Sequence, residues 1–209
     1  MKEKQTIFDS LVAEIITGKF KPGVRLVERE LVAKFGVSRT PVREAIRRLE
    51  EIGLIQCFPN RGATVTDLSP NDIENLYLIR LNLERLAAKF AFSNLGPNEI
   101  ATLERINQEL RGPLKLNNLL RLIEKDKQFH HVIYEASGNR FLVEIIEGLR
   151  LKCYIVAYYA WGSPNRVRAS FEGHKEIINS IKRKDREKFQ NLLEHQLVAA
   201  KSYYLENLR

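Results

Sequence analysis

One stretch of this chain, Ser38 to Glu50 (SRTPVREAIRRLE), narrows what it can fold into more than any other. Val42, Ala45, Ile46 and Leu49 stand at i, i+3, i+4 and i+7, which on a helix makes one apolar stripe for docking on a small core. Arg39, Arg43 and Arg47 recur every four residues and stack along another face. Either Ser38 caps this helix, or Thr40 is the cap and Pro41 the first helical residue. Upstream, Val27 to Phe35 (VERELVAKF) reads as a second short amphipathic helix, with Gly36-Val37 as the tight link. Helix, glycine turn and arginine-bearing helix form the helix-turn-helix arrangement, whose second helix enters the major groove of DNA.

A helical hairpin with a solvated basic face would show the same pattern, because charge runs are usually just solvated. The residues that follow favour DNA. Gly53-Leu54 ends the helix, Ile55 to Phe58 reads as a strand, Pro59-Asn60-Arg61-Gly62 has turn chemistry, and Ala63 to Val65 returns as a second strand. A two-stranded wing with Arg61 at its tip is what a winged helix-turn-helix needs to straddle a groove. The hairpin reading leaves the wing unexplained.

The net charge of +8 and pI near 9.5 suit a polyanionic partner. Residues 1–70 nevertheless hold 12 Lys and Arg against 9 Asp and Glu, so most of the excess lies downstream. Arginine geometry, not net charge, therefore locates the DNA contact. Cys57 and Cys153 form no CxxC pair and read as small core residues in a reducing compartment. The N-terminus has no apolar run of signal-peptide length, and no stretch nears the roughly 18 apolar residues of a membrane span, so a cytoplasmic protein is expected.

In chain order, a first helix covers 4–17, with Ile7, Leu11 and Ile15 on one side, and Lys19 to Arg25 reads as a loop broken by Pro22-Gly23. The helix-turn-helix and wing then close a winged domain of residues 1–66, with 67–69 as linker. From Ser69-Pro70-Asn71-Asp72 onward the pattern is helical throughout. Helices are expected near 70–93, 97–110, 114–136, 139–161, 165–183 and 185–207, giving a mostly α chain whose residues 70–209 form an antiparallel bundle. The boundary near Lys184-Asp185 has the weakest signal. Leu76, Leu83, Leu86 and Phe90 of the first bundle helix suit a dimer contact or a core equally well.

Four histidines lie in this bundle. Asp126 and His130, at i and i+4, share one helix face, while His131 points about 100° away. His174 and His195 lie on the last two helices. Convergence of Asp126, His130, His174 and His195 on one inner point would suit zinc or nickel, which favour imidazole with a carboxylate. Isolated helical histidines are also commonly satisfied surface or core groups.

Two runs carry a resemblance to a known family. The first extends from Gly18 through KFKPGVRLVERELVAKFGVSRTPVREAIRRLEEIGLI and on to PNRGATV. It resembles the N-terminal domain of the GntR superfamily of bacterial transcription regulators. The likeness implies DNA contacts from Arg29, Ser38, Arg39, Thr40 and Arg43, with Arg61 and Gly62 near the minor groove. A guanidinium bonds guanine bidentately in the major groove, so Arg39 and Arg43 are the base readers, and Arg29, Ser38 and Thr40 fix phosphates. Arg47 and Arg48 either reach DNA or pair with Glu44, Glu50 or Glu51.

The second run, EKDKQFH to His130, ASGN to Asn139 and HKEIINSIKRKD from His174, resembles the FCD-type effector domain of the FadR-like branch. That likeness implies a metal held by an aspartate and three histidines, often beside a carboxylate effector. Asp126, His130 and His174 match the pattern. The last histidine of the pattern falls at Gln196, one residue past His195, and on a helix one residue is about 100° of rotation. Either His195 or Gln196 completes the site.

These readings make the chain a ligand-responsive regulator, not an enzyme. It would bind a palindromic operator as a homodimer and respond to a small molecule in the bundle, with repression relieved by the effector as the expected mode. A metal-free pocket for an acyl or apolar effector, lined by Tyr154 to Trp161, is the alternative. A metal-dependent hydrolase is a remote third: no GxSxG, HExxH or phosphate-binding loop is present, and no base stands apart from the proposed ligands.

Overall fold

The computed structural model describes residues 2–16, 18–58, 62–111, 116–153 and 164–206. Within these it has nine α-helices and one three-stranded antiparallel sheet. The chain divides into two compact units, one built mainly on residues 1–69 and the other mainly on 70–209.

The first unit runs α1 (Lys2–Ile16), β1 (Arg25–Leu26), α2 (Glu28–Phe35), α3 (Arg39–Glu51), β2 (Ile55–Phe58) and β3 (Gly62–Val65). Its core is what the periodicity demands. Val42, Ala45, Ile46 and Leu49 of α3 are all buried, as are Ile7, Phe8, Leu11, Val12 and Ile15 of α1. Full burial of one such Leu or Ile contributes about 1.5–3 kcal/mol, so α1 is an integral part of the unit and not an appendage. The turn between α2 and α3 depends on Gly36, whose φ of 65° lies in the left-handed region and whose N–H donates to the Val32 carbonyl at 3.0 Å. The α3 helix begins at Arg39, so Ser38 is its N-cap residue, yet the Ser38 side chain makes no capping hydrogen bond.

One element departs from expectation. Arg25, the last residue of the stretch read as a loop, and Leu26 after it pair with β3 in the register Arg25 to Thr64 and Leu26 to Ala63, giving the sheet order β1-β3-β2. A two-residue strand has no periodicity of its own to announce it; Leu26, buried at 3% exposure, anchors it.

The second unit is an all-helical bundle: α4 (Pro70–Ala91), α5 (Pro97–Gln108), α6 (Leu116–Glu135), α7 (Arg140–Lys152), α8 (Pro164–Lys182) and α9 (Arg186–Glu206). Its core joins Ala87, Ala91, Leu103, Phe129, Ile133, Ile146, Ile177 and Phe189. Side-chain caps open three of these helices. Gly96 N–H donates to Glu99 Oε2 at 2.9 Å ahead of Pro97, and Leu142 N–H donates to Asn139 Oδ1 at 3.1 Å. The weakly signalled boundary is made by Lys184 at φ 56° and by Asp185, whose Oδ1 accepts the Lys188 N–H at 3.0 Å.

The buried stripe of α4 is Ile73, Tyr77, Arg80, Glu84, Ala87, Ala88 and Ala91, which includes two charged residues. Leu83 packs against the core, whereas Leu86 and Phe90 are exposed together with Leu78 and Ile79. The expected extension of α7 to 161 and the Tyr154 to Trp161 run lie outside the described residues.

Candidate functional site

On the first unit, Arg29, Ser38, Arg39, Thr40 and Arg43 are all exposed, as is Gly62 of the wing; Arg61 lies outside the described residues. The arginines of α3 have different surroundings. The Arg43 Nε lies 3.2 and 2.9 Å from the two oxygens of Glu28 at the start of α2, an exposed pair that sequence spacing could not reveal. Arg47 pairs with Glu51 at 3.6 Å, one turn along. Arg48 stacks its guanidinium on the Phe8 ring, 3.9 Å from the centroid, so it fastens α3 to α1.

In the bundle, α6 and α8 bring Asp126, His130 and His174 together, with one donor atom from each lying within 4.8 Å of the others. His174 Nε2 is 3.3 Å and His130 Nε2 3.8 Å from Asp126 Oδ1. Two donors at zinc or nickel bond lengths are at most about 4.2–4.4 Å apart, so the cluster is within a small adjustment of coordinating distance. His174 is fully buried and stacked on Phe129, with ring centroids 3.7 Å apart and planes within 4°. Its Nδ1 and that of His130 have no hydrogen-bond partner among the described residues, and its Nε2 faces Asp126 Oδ1. Buried polar atoms are normally satisfied, so two unpaired imidazole nitrogens and a third facing a carboxylate fit a cation.

The electrostatics agree. Burial holds His130 well below its ordinary pKa, reinforced by the Arg150, His174 and Arg80 charges, against the pull of Asp126. His130 is therefore neutral, as a ligand must be. Burial alone would raise Asp126; charge on His130, the contact with His174 and the Arg150 guanidinium lower it, and Arg150 keeps that pull when His130 is neutral.

Around this cluster stands a buried network. Ser170 Oγ donates to Asp126 Oδ1 at 3.1 Å, and Arg150 Nη2 is 3.7 Å from Asp126 Oδ2. Arg150 Nη1 donates to the Tyr134 hydroxyl at 3.3 Å, Tyr134 donates to Glu84 Oε2 at 2.5 Å, and Arg80 Nε donates to Glu84 Oε1 at 2.8 Å. None of these partners was expected from sequence. Arg80 and Glu84 had a signal, since they fall in phase with Ile73, Tyr77 and Ala91 on a stripe that should be apolar; Ser170 sits one turn before His174.

The two candidates for the fourth position part company. His195 is exposed, lining an open surface depression with Asp185, Lys188 and Asn191, and is outside the clustered group. Gln196 is turned inward: both amide atoms are buried with no hydrogen-bond partner among the described residues, and a Cβ built on Gly173 would meet its Nε2 at 2.4 Å. Gln196 thus lies against the α8 backbone one residue before His174. His131 is half-exposed and turned toward Glu135 and Glu147, at 3.7 and 3.4 Å.

Comparison with known proteins bears on both halves. Residues 3–65 match the profile of bacterial regulatory proteins of the gntR family, and residues 75–199 match the FCD domain. The chain is 30% identical to YdhC of Bacillus subtilis, an uncharacterised HTH-type transcriptional regulator, over 90% of this chain and 85% of that one. It is 29% identical to RspR of Escherichia coli, an HTH-type transcriptional repressor, over 87% and 79%. It is 28% identical to the E. coli HTH-type transcriptional regulator McbR, over 86% and 82%. The solved structure of McbR superposes with a TM-score of 0.68 at 24% identity, covering 99% of each chain, which establishes the fold. These relatives are transcription regulators rather than enzymes. No helix among the described residues is long and apolar enough to cross a membrane.

Proposed function

This chain belongs to the GntR family of bacterial transcription regulators and carries an FCD domain, and on that premise we propose that it is a ligand-responsive repressor binding a palindromic operator as a homodimer. Residues 1–66 bind DNA in the cytoplasm, 67–69 link, and 70–209 bind the effector and dimerise. One recognition helix reads only a few base pairs, and a twofold assembly doubles the site. Arg39 and Arg43 read bases, Arg29, Ser38 and Thr40 fix phosphates, and Arg61 and Gly62 lie near the minor groove. The exposed Leu86 and Phe90 of α4, with Leu78 and Ile79, support a dimer contact. The name of RspR supports repression.

In the bundle, Asp126, His130 and His174 would hold a divalent zinc or nickel ion, with Gln196 in preference to His195 as the fourth side chain. When bound, the ion supplies an electrophilic anchor for a carboxylate effector. Ser170 and Arg150 orient and charge-balance Asp126, and Phe129 fixes the plane of the His174 ring. Effector binding then shifts the population between DNA-bound and released states. The convergence of Asp126, His130 and His174 carries this reading.

Elemental analysis of protein purified without chelator or affinity nickel tests it: about one zinc or nickel per chain is expected, and none even after added metal would refute the site. Selection from random duplexes should return an inverted repeat. Recovery of an asymmetric sequence by a monomeric protein would refute the dimer.

A further inference from the structure

The wing has a neighbour that the helix-turn-helix pattern does not announce. Arg25 opens β1 and pairs in register with Thr64 of β3. Leu26, next along, is buried, and strand alternation leaves Arg25 on the open face, where it is exposed. Its guanidinium does not drift free. A Cβ built on Gly62 would lie 3.3 Å from Arg25 Nε and 3.4 Å from Nη2. Gly62 is required by its φ of 77°, and its missing side chain also lets the guanidinium lie along the wing backbone.

Arg25 differs from its neighbours in what holds it. Arg43 and Arg47 face Glu28 and Glu51, and Arg48 stacks on Phe8. No acidic side chain of the described residues pairs with Arg25. A cation beside the wing, with no counter-charge among the described residues, is placed to take a phosphate. We propose that Arg25 is a further DNA contact of this regulator, bonding the phosphate backbone beside the wing and adding affinity without sequence preference. The inference rests on the DNA-binding reading of the first unit.

Each phosphate neutralised releases condensed counterions, and the logarithm of the affinity falls against the logarithm of salt with a slope near −0.9 per contact. The test measures binding of a labelled duplex of arbitrary sequence by fluorescence anisotropy across a salt series. Arg25→Gln should weaken binding several-fold at low salt and make the slope shallower by about 0.9, while Arg25→Lys keeps the wild-type slope. Lys175→Gln, which removes an exposed charge from α8, should leave the slope unchanged. A structural role for Arg25 would change melting temperature but not the slope. Arg25→Gln with the wild-type slope overturns the proposal, as does an equal change in Lys175→Gln. A wild-type protein that binds no duplex overturns it together with the DNA-binding reading.

Discussion

At the scale of single residues, Arg43 carries the sharpest claim. Its pairing with Glu28 is exposed, and exposed pairs of this kind contribute about 0.2–1 kcal/mol, so the pair is a weak source of stability. Its consequence is orientation: the guanidinium is held at the edge of α3 until a base competes for it. Arg43→Ala should cost about 1–3 kcal/mol of operator affinity and relax discrimination at the base pair it reads. Glu28→Gln should do the reverse for arbitrary DNA, raising affinity by removing a competing carboxylate while narrowing the operator's advantage. Competition binding with operator and scrambled duplexes separates the two, and unchanged selectivity in Arg43→Ala would remove it from the base-reading set. His130→Ala, in the other half, should lower metal content and leave DNA affinity for arbitrary sequence intact.

At the scale of elements, α4 is where chemistry is stored in an unexpected place. Glu84 accepts from both Arg80 and Tyr134 inside the bundle, so Glu84→Ala removes the carboxylate that a buried cation and a buried hydroxyl share. Breaking a buried pair from one side costs about 3–5 kcal/mol, while replacing both partners by apolar groups is often near neutral. Arg80→Met with Glu84→Leu should therefore be less destabilising than the sum of the two single changes. Urea denaturation followed by the emission of Trp161, the chain's one tryptophan, would measure it, and strict additivity would mean that the pair is not coupled. Local patterns made much of this fold legible beforehand. The α3 stripe, the Gly36 turn, the wing and the Asp126–His130 spacing all concern residues within one or two turns of each other. What stayed hidden was non-local. Strand β1 is defined only by its partner, the Glu28–Arg43 pair joins two helices, and the Asp126–Arg150–Tyr134–Glu84 chain joins three. The outward position of His195 and the inward one of Gln196 follow from the phase of α9. That phase is set by Lys184 in the left-handed region and the Asp185 cap, where the sequence signal was weakest.

At the scale of the whole molecule, the distribution of function predicts how metal removal should act. A ligand that binds only the folded state stabilises it by RT ln(1 + [L]/Kd), about 2.7 kcal/mol at a hundredfold excess over Kd. For a helical unit of this size that corresponds to a shift on the order of 10 °C in melting temperature. Chelation should therefore lower the transition reported by Trp161 and leave affinity for arbitrary duplex DNA nearly unchanged, because the residues proposed to hold metal all belong to the bundle. The same comparison separates the two candidates for the fourth position. Gln196→His should enlarge the metal-dependent shift, since imidazole is a better donor to zinc or nickel than a neutral amide. His195→Ala should not alter it, because His195 is exposed and apart from the cluster. A loss of the shift in His195→Ala would mean that α9 rotates on binding metal and brings His195 inward in place of Gln196.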